Sequence, residues 1–335
     1  MKYLLKTLAL LFFFTIGFSI IVNLYPRLII IPSVAPIKFI NDISLKKITV
    51  KDKTMLAIGN SSFTTGILAN ELQNFLILGA FASSRIEHYY VLKKYLKNNP
   101  APRIVFLSQE VFIFEQQLVF WKLYGGYFYT FGELFDIFKV GKRLNYLEHV
   151  GTENFFVFLF NAISYKLKLP NKYIGFFQKN LFSNKNNTFY ELLYGDLKMN
   201  SGHSIGPFRP ASIDDRKARF DELEVKRKKH GIVNDLPAVK EYYLKKIIKL
   251  AKKYNIKIIY LPAPLLTRNV SRYMHKSYFQ AYDNHMNSLI CKDKIFDCWV
   301  FEKELGFEYF NDPSHLNLKG ARLFTDFIID KLSRE

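Results

Sequence analysis

Met55-Leu56-Ala57-Ile58-Gly59-Asn60-Ser61-Ser62 is a short apolar run that stops at a glycine and delivers a hydroxyl. A buried strand hands a nucleophile to the carboxyl edge of a parallel sheet in this way, which sets Thr54 to Ile58 as the first strand. Working outward, Ile86, Tyr89, Tyr90, Leu92 and Leu96 recur at helical spacing up to Asn98-Asn99-Pro100, and Arg103-Ile104-Val105-Phe106-Leu107 follows as a buried strand. This is one β-α-β crossover. A second comes late, where Val239 to Tyr254 carries an apolar face through Tyr243, Ile247, Leu250 and Ala251 and feeds Lys257-Ile258-Ile259-Tyr260-Leu261. Ile295-Phe296-Asp297 adds a further strand. Strands alternating with helices call for the α/β class, with a parallel sheet covered on both faces.

Near the other end, Asn311-Asp312-Pro313-Ser314-His315-Leu316-Asn317 sets a carboxylate and an imidazole three residues apart. On one turn the two can face each other, so the carboxylate can accept from one ring nitrogen and leave the other as a base. With Ser61 upstream the order along the chain is Ser, Asp, His. Ser62 is the alternative nucleophile if the turn is shifted by one residue. His203, His275 and His285 read as surface or core residues. The last helix begins at Asn317, a good N-cap, and buries Ala321, Phe324, Ile328 and Leu332.

These motifs resemble the SGNH/GDSL hydrolase superfamily. Gly59-Asn60-Ser61 stands where that superfamily has Gly-Asp-Ser, with Asn in place of Asp, and Asp312-Pro313-Ser314-His315 matches its Asp-x-x-His, followed by Leu316-Asn317-Leu318-Lys319-Gly320-Ala321. The resemblance covers roughly 54–110 and 237–332 and is strongest to the membrane-anchored branch related to alginate O-acetylation proteins and to the D-alanyl transfer protein DltD. It implies a three-layer, flavodoxin-like parallel sheet and a Ser61, His315, Asp312 triad working without metal or organic cofactor. In the superfamily a Gly of the second block and an Asn of the third complete the oxyanion hole. Ala82-Ser83-Ser84 and Ser108-Gln109-Glu110 fall at those places here, and the backbone N–H groups of Ser61 and Ser83 are the candidate donors.

Ahead of all this, Lys2 and Lys6 precede a stretch from Leu8 to Val22 that is free of charge, and the apolar character persists to Ile31. A basic tip before such a stretch fits an uncleaved signal anchor over residues 1–31. It would leave the amino terminus in the cytoplasm and place a catalytic domain, residues 50–335, on the outer face of the cytoplasmic membrane. A cleaved signal and a buried core helix are the competing readings. Between roughly 111 and 236 the strand–helix alternation is lost. Runs such as Phe155-Phe156-Val157-Phe158-Leu159-Phe160 are too short to span a bilayer, so this region reads as an aromatic-rich insertion or cap, with Gly202 to Pro207 an ordered loop within it. Cys291 and Cys298 either close a small disulfide loop or stay as buried thiols, and without clustered histidines they do not suggest zinc.

The chain has 335 residues, 33 Phe and 21 Tyr, and a formal net charge of +19 that is densest from Arg216 to Lys229. Behind a membrane anchor, the overall charge points to lipid head groups or an acidic envelope polymer rather than nucleic acid, while that run reads equally as a solvated helix face. The expected function is acyl-ester chemistry, as O-acyltransferase or esterase, on a cell-surface polysaccharide, with a membrane-bound O-acyltransferase as partner. The rival is a non-catalytic glycan-binding or assembly subunit.

Overall fold

The computed structural model describes residues 2–29, 31–48, 54–79, 83–108, 120–147, 150–181, 185–202, 238–264, 291, 296–312 and 315–334. His203, His275, His285, Ala82, Gln109, Glu110, Ile295, the Arg216 to Lys229 run and most of the Gly202 to Pro207 loop lie outside the described residues. The first half contains α1 (Lys2–Leu24), α2 (Ala35–Ser44), β1 (Met55–Ile58), α3 (Ser61–Thr64), β2 (Phe75–Ile77), α4 (Arg85–Asn98) and β3 (Ile104–Leu107). A π-helical segment, Phe120–Phe128, leads into α5 (Phe131–Arg143), α6 (Phe155–Lys166), α7 (Pro170–Leu181) and α8 (Lys185–Met199). After them come α9 (Ala238–Tyr254), β4 (Lys257–Tyr260), β5 (Phe296–Cys298), β6 (Phe310–Asp312), β7 (His315–Leu316) and α10 (Leu318–Ser333). The chain divides into two compact units, residues 1–41 with 114–195, and residues 42–113 with 196–335.

The second unit is built on a five-stranded, wholly parallel sheet of order β2-β1-β3-β4-β5. That order belongs to doubly wound sheets, in which the connections diverge on either side of a switch point between β1 and β3. Met55, Ala57, Phe75, Ile77, Ile104, Phe106 and Ile259 form one buried face together with Ala321, Phe324 and Ile328 of α10. Their neighbours Leu56, Ile58, Leu76, Val105, Leu107 and Ile258 point the other way and are equally buried. α4 packs against β1 there and α9 packs against α4, with Tyr243 closing on Tyr89 and Tyr90 at ring separations of 5.6 and 5.9 Å. Both faces are therefore dry, as the apolar runs of β1, β3 and β4 require.

One crossover differs from the sequence expectation. The run from β1 through α4 to β3 is not a single β-α-β unit, because β2 intervenes and pairs with β1 at the sheet edge. Phe75-Leu76-Ile77 is too short to carry a period, and only its pairing makes it a strand. Cys291 and Cys298 form a disulfide with Cα atoms 5.7 Å apart, inside the usual range.

In the first unit, every element described between 120 and 181 is helical. α6 stacks Phe158 on Phe138 at 4.4 Å and sets it tilted against Trp121 at 5.6 Å, which uses the aromatic residues as core. Burial pushes the phenols of Tyr127 and Tyr173 well above the usual tyrosine range. α1 is long and apolar enough over Tyr3–Leu24 to cross a membrane, and 11% of its most apolar window is buried, unlike a core helix.

Candidate active site

Ser61 sits where β1 ends, beside the switch point. A Cβ at Gly59 would come within 2.5 Å of Ser108 Oγ and 2.6 Å of Phe63 Cδ1, so the end of β3 and the first turn of α3 leave room for glycine alone. Asn60 then caps α3, its Oδ1 accepting from the Phe63 N–H at 3.3 Å. Thr65 Oγ1 donates to the Ser61 carbonyl at 2.8 Å and closes the turn. Ser61 is left half-buried at the rim, whereas Ser62 is buried.

His315 arrives from the far end of the chain. Its Nε2 lies 2.9 Å from Ser61 Oγ. The Asp and His are not on one turn of helix: β6 and β7 form an antiparallel ladder whose register sets Asp312 directly opposite His315. The hairpin therefore sets the two residues as cross-strand backbone partners rather than along a helical turn. α10 holds this hairpin in place. Asn317 Oδ1 accepts from the Gly320 N–H at 3.0 Å, its Nδ2 donates to the Glu308 carbonyl at 2.6 Å, and Thr325 Oγ1 accepts from the Leu68 N–H at 2.9 Å.

A buried polar chain supports the same turn from below. Ser83 Oγ lies 2.9 Å from the Gly59 carbonyl and 3.1 Å from His88 Nε2, and Arg85 Nη1 lies 3.3 Å from His88 Nδ1. A carbonyl only accepts, so the Ser83 hydroxyl donates to Gly59 and accepts from His88 Nε2–H. His88 Nδ1 is then the lone pair that receives Arg85 Nη1–H, and the ring is neutral. Arg85, Glu87 and His88 are all at most 3% exposed, and Glu87 Oε2 caps α4 by accepting from the Ser84 N–H at 2.7 Å. With its hydroxyl turned onto Gly59, Ser83 has only its backbone N–H to offer an oxyanion.

The structure thus brings Ser61, His315 and Ser83 around one turn, with the Asp312 backbone beside them. The sequence reading missed His88 and Arg85, and it missed Gly79, where a Cβ would strike the Thr64 side chain and lie 2.8 Å from the Gly59 carbonyl oxygen. Among the described residues, no group of three or more His, Cys, Asp or Glu is placed to hold a metal ion. A groove of about 460 Å³ runs between Val300–Lys303 and the later turns of α10, lined by none of the site residues. A hydroxyl at hydrogen-bond distance from an imidazole nitrogen can lose its proton to the ring as it attacks a carbonyl. Compared with family models and with curated proteins, the chain matches none.

Proposed function

We propose that the chain is an acyl-ester enzyme of SGNH/GDSL type, held at the outer face of the cytoplasmic membrane by α1 and acting on a cell-surface polysaccharide. The observation that carries this reading is the 2.9 Å approach of His315 Nε2 to Ser61 Oγ at the carboxyl edge of the sheet. In open α/β sheets ligands bind in the crevice outside the carboxyl ends of the strands, at the switch point, and the 2-1-3-4-5 strand order agrees with a flavodoxin-like core.

Ser61 Oγ attacks the acyl carbonyl carbon while His315 Nε2 takes the hydroxyl proton. Asp312 steadies the imidazolium, and the backbone N–H groups of Ser61 and Ser83 face the developing oxyanion. Collapse breaks the bond to the departing alkoxide, which leaves with the proton from His315, and the acyl group stays on Ser61. Water as second acceptor gives the free acid, whereas a sugar hydroxyl gives a new ester. A membrane-bound O-acyltransferase is the partner that would supply the acyl group, and no metal or organic cofactor enters the scheme.

Lys2 and Lys6, in the first turns of α1, favour an orientation with the remaining chain outside the cytoplasm, and the Cys291–Cys298 disulfide suits that oxidising side. A net charge of +19 suits an acidic polymer as substrate.

A fluorophosphonate probe on the full-length protein tests the chemistry. It should label Ser61, labelling should vanish in Ser61→Ala and His315→Ala, and ester turnover in Asp312→Asn should fall about 10⁴-fold. Absence of labelling in the folded wild-type protein, or labelling that persists in Ser61→Ala and is lost in Ser62→Ala, overturns the assignment.

A further inference from the structure

The aromatic run that is too short to span a bilayer leaves one side of α6 uncovered. Phe158, Ala162 and Tyr165 face inward and are at most 4% exposed. Phe156 and Phe160, by contrast, are 77% and 55% exposed, and Ile163 and Leu167 continue the same side at steps of three and four. α7 repeats the pattern with Ile174 and Leu181 exposed at 41% and 53%. Exposed apolar side chains in a row along two consecutive helices mark an interaction surface rather than scattered surface residues.

What lies against the end of this stripe points to its partner. Leu167, its last residue, accepts hydrogen bonds through its carbonyl from Ser19 Oγ at 2.5 Å and Asn23 Nδ2 at 3.3 Å, both on α1. Lys168 Nζ donates to Asn23 Oδ1 at 3.1 Å, and Phe177 of α7 packs on Phe18 of α1 at 5.4 Å. On α1, Tyr3 to Phe14 are all exposed, with Leu10 at 72% and Phe13 at 69%. The stripe therefore begins where the membrane-length helix emerges. Its charge is one-sided as well: between Glu153 and Glu191 there is no Asp or Glu, while Lys166, Lys168, Lys172, Lys179 and Lys185 are present. An apolar helix face edged by lysines is the pattern of a helix lying in the interface of an anionic bilayer.

We propose that the Phe156, Phe160, Ile163 and Leu167 face of α6, together with Ile174 and Leu181 of α7, beds into the boundary between head groups and acyl chains of an anionic bilayer beside α1. The chain then holds the membrane by helices in its plane as well as by the one that crosses it, which fixes the orientation of the first unit on the lipid surface. This rests on the reading of α1 as a membrane helix.

The test reconstitutes the full-length chain in vesicles of phosphatidylglycerol and phosphatidylcholine in equal parts, with and without lipid brominated near the head group. Tryptophan is introduced as Phe156→Trp, as Leu10→Trp on α1, and as Val300→Trp, an exposed position outside this unit. Native Trp121 and Trp299 are buried and serve as a constant background. Brominated lipid should remove most of the added fluorescence in Phe156→Trp and Leu10→Trp and leave Val300→Trp unchanged. In phosphatidylcholine alone the loss at Phe156→Trp should shrink while that at Leu10→Trp stays. Quenching at Leu10→Trp with none at Phe156→Trp overturns the in-plane helix while leaving the anchor intact. No quenching at either position overturns the membrane reading itself, and equal quenching of Phe156→Trp in both lipids overturns the part given to the lysines.

Discussion

Removing the imidazole of His88 would leave the Ser83 hydroxyl without its donor and the guanidinium of Arg85, 1% exposed, without one of its partners. This chain reaches the Ser61 turn through the Gly59 carbonyl that Ser83 holds. Misplacing a nucleophile by a fraction of an ångström slows attack more than it weakens binding. His88→Ala is therefore expected to lower the rate of fluorophosphonate labelling about tenfold with the probe's half-saturating concentration little changed. His88→Gln, which can still donate to Ser83, should recover part of the rate. A labelling rate equal to wild type in a folded His88→Ala protein would reduce the relay to core packing. A pairing of Ser61 with His315 could be anticipated from the sequence, because a hydroxyl and an imidazole are recognisable by residue type wherever they lie. Arg85, Glu87 and His88 could not, since in sequence they look like the polar positions of an amphipathic helix. Every residue from Arg85 to Leu92 is in fact buried, and burial of a charged group is a property of the packed sheet and helices, not of α4.

At the level of elements, the β6–β7 hairpin and α10 act as one piece that carries His315. Gly320 is the contact between them: a Cβ there would meet the Tyr309 carbonyl oxygen, immediately before β6, and come within 2.9 Å of Leu316 Cδ2. Backbone cannot yield as a side chain does, so α10 would have to lift away from the hairpin. Gly320→Ala should cost roughly 1–3 kcal/mol in a denaturant melt and should also slow labelling of Ser61, because the hairpin sets the position of His315. Full stability with normal labelling would mean that α10 is free to shift without moving the site. The helix itself was legible, from its N-cap at Asn317 to the buried Ala321, Phe324 and Ile328. The hairpin was not. An Asp and a His three residues apart fit a helical turn and a tight antiparallel pair equally well, and β7 holds only two residues, so no alternation could favour the strand. β2 escaped notice for the same reason, being defined by its pairing to β1 rather than by its own three residues.

On the scale of the whole molecule, two features bear on compartment: the lysines in the first turns of α1 and the pair of cysteines. Spacing alone left the cysteines open, because seven residues permit a disulfide without requiring one, whereas the fold brings Cys291 and Cys298 to 5.7 Å between Cα atoms and joins them. Disulfides persist in oxidising compartments and are rare where cytosolic reductants reach. The two pointers must therefore agree if the second unit lies outside the cytoplasm, and the cysteines supply a readout that needs no fractionation. Cells quenched in acid, denatured and treated with a mass-tagging maleimide should yield a chain with no tag, since no free cysteine is present among the described residues. Reduction before tagging should add two tags, and Cys291→Ser should carry one tag without reduction. Two tags on the unreduced wild-type chain would show free thiols. The disulfide would then be absent in the cell and the argument for an oxidising compartment would fall, leaving Lys2 and Lys6 as its sole support.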